Sequence, residues 1–199
     1  MDRRASAPHQ PSGRRTALVP AARLQGWADR FAASHGAVAE DLDDGGLLLR
    51  AADGATAILK APWPADGRPG RGGTELERLA SLANQERGLG LLLVRRGGYA
   101  IAAASGSTIL ASKSGSRFIE AKATAEQASR IFNEHRIEYI VPGGDRVLVD
   151  QLLSQPLLKA LAGRTRLAFL DIQGPKTAVL AKAAADACSV RITVTDPQP

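Results

Sequence analysis

Between Leu89 and Thr195 the pattern of apolar residues changes period part-way along. Four short β-rich runs come first, Leu89–Val94, Tyr99–Ala104, Thr108–Lys113 and Arg117–Ala121, with glycine turns at Arg96-Gly97-Gly98 and Ser105-Gly106. Runs bounded in this way predict an antiparallel meander. From Thr124 the pattern alternates: helix over Thr124–His135, strand over Ile137–Val141, helix over Val147–Leu153, strand over Leu167–Leu170, helix over Pro175–Ala187 and strand over Val190–Thr195. A meander followed by alternation implies the α/β class, one mixed sheet over residues 89–195 with helices packed on it.

The N-terminal part reads differently. Leu24, Trp27, Ala28 and Phe31 recur at i, i+3, i+4 and i+7, so Pro20–His35 is an amphipathic helix ended by Gly36. Leu47–Ala51 and Ala55–Lys60 flank Asp53-Gly54, a hairpin signal. Residues 16–60 are therefore expected to form a small helix-hairpin unit. Three prolines and four glycines in residues 61–73 leave no room for a regular element and mark a linker. Thr74 and Glu77 have capping-box spacing and open a short helix. Residues 74–197 form the second unit.

The chain carries a net charge of +6, and residues 1–15 alone account for +3. A solvated, disordered basic tail is the simpler reading of that segment, and a dedicated RNA-binding arm the other. A pI near 10.0 favours an anionic partner. The single Cys188 excludes an internal disulfide framework, and no signal peptide or membrane-spanning apolar run is visible, so a reducing cytoplasm is expected. His9, His35 and His135 lie far apart, which argues against a zinc-type ligand cluster. The sequence contains no Walker-type phosphate loop, dinucleotide fingerprint or nucleophile elbow.

Several segments carry a family resemblance. They are Leu92-Leu93-Val94-Arg95-Arg96-Gly97-Gly98-Tyr99-Ala100, Ala111-Ser112-Lys113-Ser114-Gly115-Ser116-Arg117-Phe118, Val141-Pro142-Gly143-Gly144-Asp145-Arg146, Phe169-Leu170-Asp171 and Val190-Arg191-Ile192. In order and spacing, together with the helix bearing Trp27 and Phe31 and the Pro62-Trp63-Pro64 stretch, they resemble the actinobacterial Vms-like release factors over residues 16–197. The resemblance implies a domain similar to the middle domain of eukaryotic and archaeal class I release factors, with ribonuclease H-like strands. It also implies peptidyl-tRNA hydrolase activity in ribosome rescue. The partners would be the peptidyl-transferase centre of the large subunit and peptidyl-tRNA, with the protein a monomer that needs no cofactor or metal and has no membrane role.

The chain departs from that family where its chemistry resides. A Gly-Gly-Gln loop is expected between Lys122 and Gln127, yet no glycine lies between Gly115 and Gly143. Either the loop has been removed or the chain is a degenerate member, and the intact flanks favour removal. No catalytic residue is therefore assigned. Thr124 and Gln127 fit a capping box better than a catalytic loop. Arg95, Arg96, Lys113, Arg117 and Lys122 gather near the missing loop and form the candidate RNA footprint, the alternative being a solvated strand face. For Gly143-Gly144-Asp145 a turn followed by a helix cap is preferred to an anion site. Two other readings stay open: a non-catalytic ribosome or tRNA-binding module, and an RNA-binding or interaction domain unrelated to the ribosome.

Overall fold

The computed structural model describes residues 13–43, 46–116 and 120–197. In chain order the elements are β1 (Arg14–Val19), α1 (Leu24–His35), β2 (Val38–Asp43), β3 (Gly46–Ala51), β4 (Thr56–Lys60), α2 (Glu75–Ala83) and β5 (Gly88–Arg95). There follow β6 (Gly98–Ser105), β7 (Thr108–Gly115), α3 (Ala121–Asn133), β8 (Tyr139–Gly144), α4 (Arg146–Leu153), α5 (Lys159–Ala162), β9 (Thr165–Arg166), α6 (Thr177–Ala187) and β10 (Val190–Thr195). The strands build two five-stranded sheets, β1-β10-β4-β3-β2 and β7-β6-β5-β8-β9. Every pairing in the first is antiparallel. In the second, β5, β6 and β7 pair antiparallel, while β8 and β9 continue parallel to β5. The mixed α/β class is as expected, and this strand order is the ribonuclease H-like arrangement that the resemblance implied.

Residue alternation explains why β5 is central to the second sheet. Leu89, Leu91 and Leu93 face one core with Leu180, Ala183 and Ala184 of α6, whereas Leu92 and Val94 face the other with Ala125, Ala128 and Phe132 of α3. A strand buried on both faces reads as a nearly continuous apolar run. The first sheet is covered by α1 and α2, which bury Leu24, Phe31, Leu76 and Ala83 against Leu47, Leu49, Ala57 and Leu59. The capping box opening α2 is present, with Thr74 accepting from the Glu77 amide and Glu77 returning to the Thr74 amide.

Four expectations are corrected. The single sheet over residues 89–195 is two sheets, because β10 lies between β1 and β4. Val190 and Ile192 bury in the first core, and only Cys188 and Ser189 separate β10 from α6. Alternation identifies a strand but not its neighbours. The N-terminal unit also contains β1 and β2 besides its hairpin, so Arg14 and Arg15, placed in the disordered tail, are strand residues; the rest of that tail through Ser12 lies outside the described residues. The expected fourth meander strand does not reach Ala121, which already opens α3; Arg117, Phe118 and Ile119 lie outside the described residues. Finally, the Thr124/Gln127 capping box is absent. Glu120 is the N-cap, and the buried Thr124 hydroxyl donates to the Glu120 carbonyl at 3.2 Å. Ala121, Lys122 and Ala123 are good helix formers, so the helix begins one turn before the polar pair that mimics a cap.

Candidate nucleic-acid interface

The C-terminal ends of β5, β7 and β8 open at one end of the second sheet, together with the start of α6. A cleft of about 690 Å³ lies there, lined by Arg95 and Arg96, Ser114–Ser116, Asp145 and Gln173–Thr177. Tight glycine contacts shape it. A Cβ on Gly115 would lie 2.5 Å from the Tyr99 ring, and Gly144 takes φ 94° with the Val94 carbonyl 2.2 Å from where its Cβ would stand. Any side chain there would push the β5–β6 turn and the β8 end away from the opening.

The polar groups of the cleft divide into engaged and free. Asp145 accepts from the amides of Val147 and Leu148, which holds its carboxylate on the first turn of α4 as the sequence suggested. Arg95 donates to the Gln173 carbonyl at 3.1 Å and so ties β5 to the loop before α6. The hydroxyls of Ser114 and Thr177 lie 2.8 Å apart and tie β7 to the start of α6. Arg96 and Lys176 are exposed and have no ion pair or hydrogen-bonded side-chain partner among the described residues. The N-cap position of α6, Lys176, provides no side-chain cap.

The structure distributes the expected RNA-binding residues over two walls. Arg95 and Arg96 line the cleft. Lys113 stands opposite Ile101 in register and therefore on the α3 side of the sheet, whereas Ser114, opposite Ala100, is on the α6 side. Lys122 is exposed on the first turn of α3. Arg117 lies outside the described residues. The interval expected to have held the Gly-Gly-Gln loop, Lys122 to Gln127, is helical, and the connection between β7 and α3 runs instead through residues 116–120. Sequence reading missed Lys176, Thr177 and Gln173. Their only signal is the Gly174-Pro175 break before a helix, which does not reveal that α6 starts beside β7. Arg146 adds a further cation nearby, its guanidinium 4.3 Å from the centre of the Phe169 ring.

Residues 119–193 match the family described as Actinobacteria/chloroflexi VLRF1 release factor. Over that stretch, less than half of its length, the chain is similar to this family. This bears out the resemblance read from the sequence. The VLRF1 match begins in the connection between β7 and α3 and takes in α3, β8, α4, α6 and most of β10, so it contains Lys122, Asp145 and the Gln173–Thr177 wall. The crystal structure of Pelota from Archaeoglobus fulgidus is 12% identical and covers 90% of this chain, with a TM-score of 0.33. This chain spans 65% of the length of that structure. No curated protein matches the chain.

Among the described residues, no helix is long and apolar enough to cross a membrane, and no group of three or more His, Cys, Asp or Glu could hold a metal ion.

Proposed function

We propose that the chain acts in the cytoplasm as a monomeric ribosome-rescue factor of the release-factor type, binding the large subunit and peptidyl-tRNA through the cationic end of its second sheet. The observation behind this reading is a coincidence of position: the VLRF1 segment starts in the β7–α3 connection, beside the cleft of Arg95 and Arg96. Arg95, Arg96, Lys113, Arg117 and Lys122 supply phosphate contacts, which need charge and reach rather than one fixed spacing. Residues 116–120 are the place for a loop that would enter the peptidyl-transferase centre.

The activity of such a factor would be hydrolysis of the ester between peptide and tRNA by a positioned water. This sequence contains no Gly-Gly-Gln anywhere. Gln127 is half-buried on α3, where it is not free to orient water at a substrate ester. The chain as it stands is therefore expected to bind ribosomes without releasing peptide. That same absence favours a second reading, a non-catalytic ribosome-binding module. The two are separated by inserting a Gly-Gly-Gln loop within residues 116–120 and measuring labelled peptide released from stalled ribosomes. A gain of release supports the release-factor scaffold; binding without any gain supports the module. Failure to co-sediment with ribosomes at low salt would overturn both.

A further inference from the structure

Building on the RNA-facing reading, we infer that the cleft between the β5–β6 turn, the end of β7 and the start of α6 is a mononucleotide-sized phosphate site, with Arg96 and Lys176 on its two walls. Three observations meet there. The cavity, about 690 Å³, is of the size that encloses a small organic ligand, roughly 300–1,000 Å³, and exceeds what a bare anion needs. Its one carboxylate, Asp145, is held on the first turn of α4 and is outnumbered by Arg95, Arg96 and Lys176, so the lining is net positive. Arg96 and Lys176, unlike Arg95, have no partner among the described residues.

The two cations suit different parts of a nucleotide. Lys176 is a compact charge on a flexible stem and matches a phosphate oxygen, while the planar Arg96 guanidinium can take a phosphate fork or lie against a base face. The uncapped start of α6 adds a favourable dipole, but the cavity and its two free cations suffice without it. Gly97, Ser114, Gly115 and Gly174 keep part of the lining small, which leaves room for a flat base edge-on. The ligand chemistry is a phosphate carrying a nucleoside, supplied either by a free nucleotide or by the end of a single RNA strand.

Gly97 and Gly174 provide a steric test that leaves the fold alone. Neither has positive φ, and a Cβ at either would meet nothing within 4 Å. Amide shifts of the intact chain would be followed on adding inorganic phosphate, adenosine monophosphate or a three-nucleotide single-stranded RNA. The expectation is saturable shifts at Arg96, Gly115 and Gly174 with both nucleotide probes and weaker ones with phosphate. Tighter binding of the RNA would identify a strand end as the source, and equal binding a free nucleotide. The Arg96→Glu, Lys176→Glu double variant and, separately, Gly174→Leu should each weaken binding about tenfold or more, since charge-assisted phosphate contacts are strong and the leucine fills the space. The control is Lys113→Glu with Lys122→Glu, which should leave nucleotide shifts in place while reducing ribosome co-sedimentation. Absent or non-saturable shifts, or nucleotide binding indifferent to both cleft variants, would overturn the site even if ribosome binding persisted. Nucleotide binding without ribosome binding would instead overturn the RNA-rescue reading and leave the site standing.

Discussion

The two ends of the second sheet use arginine in opposite ways. Where β5 and β8 begin, Arg87 is 1% exposed and donates to the Ala65 carbonyl at 2.8 Å and to Gln85 Oε1 at 2.6 Å. Its guanidinium also lies 3.6 Å from Glu138, which Arg68 pairs as well. Tyr139 donates to Asp66 and stacks on Trp63, whose indole N–H donates to the Leu82 carbonyl at 3.0 Å. Where the same strands end, Arg96 and Lys176 stand exposed beside a cleft with no partner among the described residues. One end closes the linker of residues 61–73 onto the sheet; the other keeps charge available. The difference teaches that an arginine's role is decided by how many of its donors the protein itself satisfies. A satisfied guanidinium is architecture, and an unsatisfied exposed one is free to take an anion at little desolvation cost.

The largest effect should come from breaking the closed end. Arg87→Ala removes a buried cation and takes its hydrogen bonds from the Ala65 carbonyl and Gln85 Oε1, while Glu138 keeps Arg68; hydrogen bonds to a charged group contribute about 1.5–3 kcal/mol each. Urea unfolding should show that loss as a lower midpoint with little change in slope. A loss below about 1 kcal/mol would place Arg87 with the surface arginines after all.

The open end should respond in the reverse manner. Reversing Arg96, Lys113 and Lys122 together is expected to shift unfolding free energy by no more than about 0.5 kcal/mol per site, as surface changes usually do. Ribosome association should weaken, and the dependence of log affinity on log salt should flatten by about 0.7–0.9 for each phosphate contact removed. Unchanged affinity with unchanged salt slope would make these residues a solvated face only.

Tyr139 allows the closed end to be probed without removing a charge. Burial first, and then its hydrogen bond to Asp66, push its hydroxyl up to about 12 from an ordinary 10.0. The fold thus favours the protonated phenol. Its contribution is full below pH 10, where the unfolded tyrosine is still protonated. That contribution falls as pH rises through 10 and is gone above about 12, because the unfolded chain releases the proton first. Stability measured between pH 9 and 11 should decline in the parent and decline less in Tyr139→Phe, which should itself cost about 1 kcal/mol at neutral pH for the lost hydrogen bond. Parallel pH profiles would show that this hydroxyl does not titrate with unfolding.

Particular residues show what the sequence could and could not reveal of this contrast. Local signals were legible: the Thr74/Glu77 capping box, the Asp145 cap and the Leu89–Val94 strand follow from spacing alone. The edge strand Val38–Asp43 escaped notice because it is largely exposed and acidic, so it has no buried face to impose alternation. The placement of β10 in the first sheet was likewise hidden, since Val190, Ile192 and Val194 would alternate identically in either. At the site, Arg95 and Arg96 stood out as a pair in a turn, but Lys176 did not, because its nearness to β7 arises only when α6 packs across the sheet. Nor did Arg87, whose partners at 65, 85, 138 and 139 come from three separate segments.

The smallest expected effect uses Cys188 as a reporter that joins the two ends. It follows α6, whose first residue lies at the open cleft, and it packs with the core that holds Leu89 and Ala187. Burial pushes its thiol up to about 11 from an ordinary 9.0. At pH 8 that leaves about a hundredfold less thiolate than an ordinary thiol has. The remaining thiolate is the more nucleophilic for its higher pKa, which restores about tenfold, so alkylation should run about tenfold slower than at an ordinary thiol before any steric hindrance is counted. Iodoacetamide labelling of the native chain, read by mass spectrometry, should show this rate. Arg96→Glu should leave it unchanged, as that substitution touches only the open end. Arg87→Ala should raise it, because opening the start of β5 loosens the core against which Cys188 rests. Equal acceleration by both variants would mean that the ends are not independent, and that a change at the cleft is felt along α6 at the closed end.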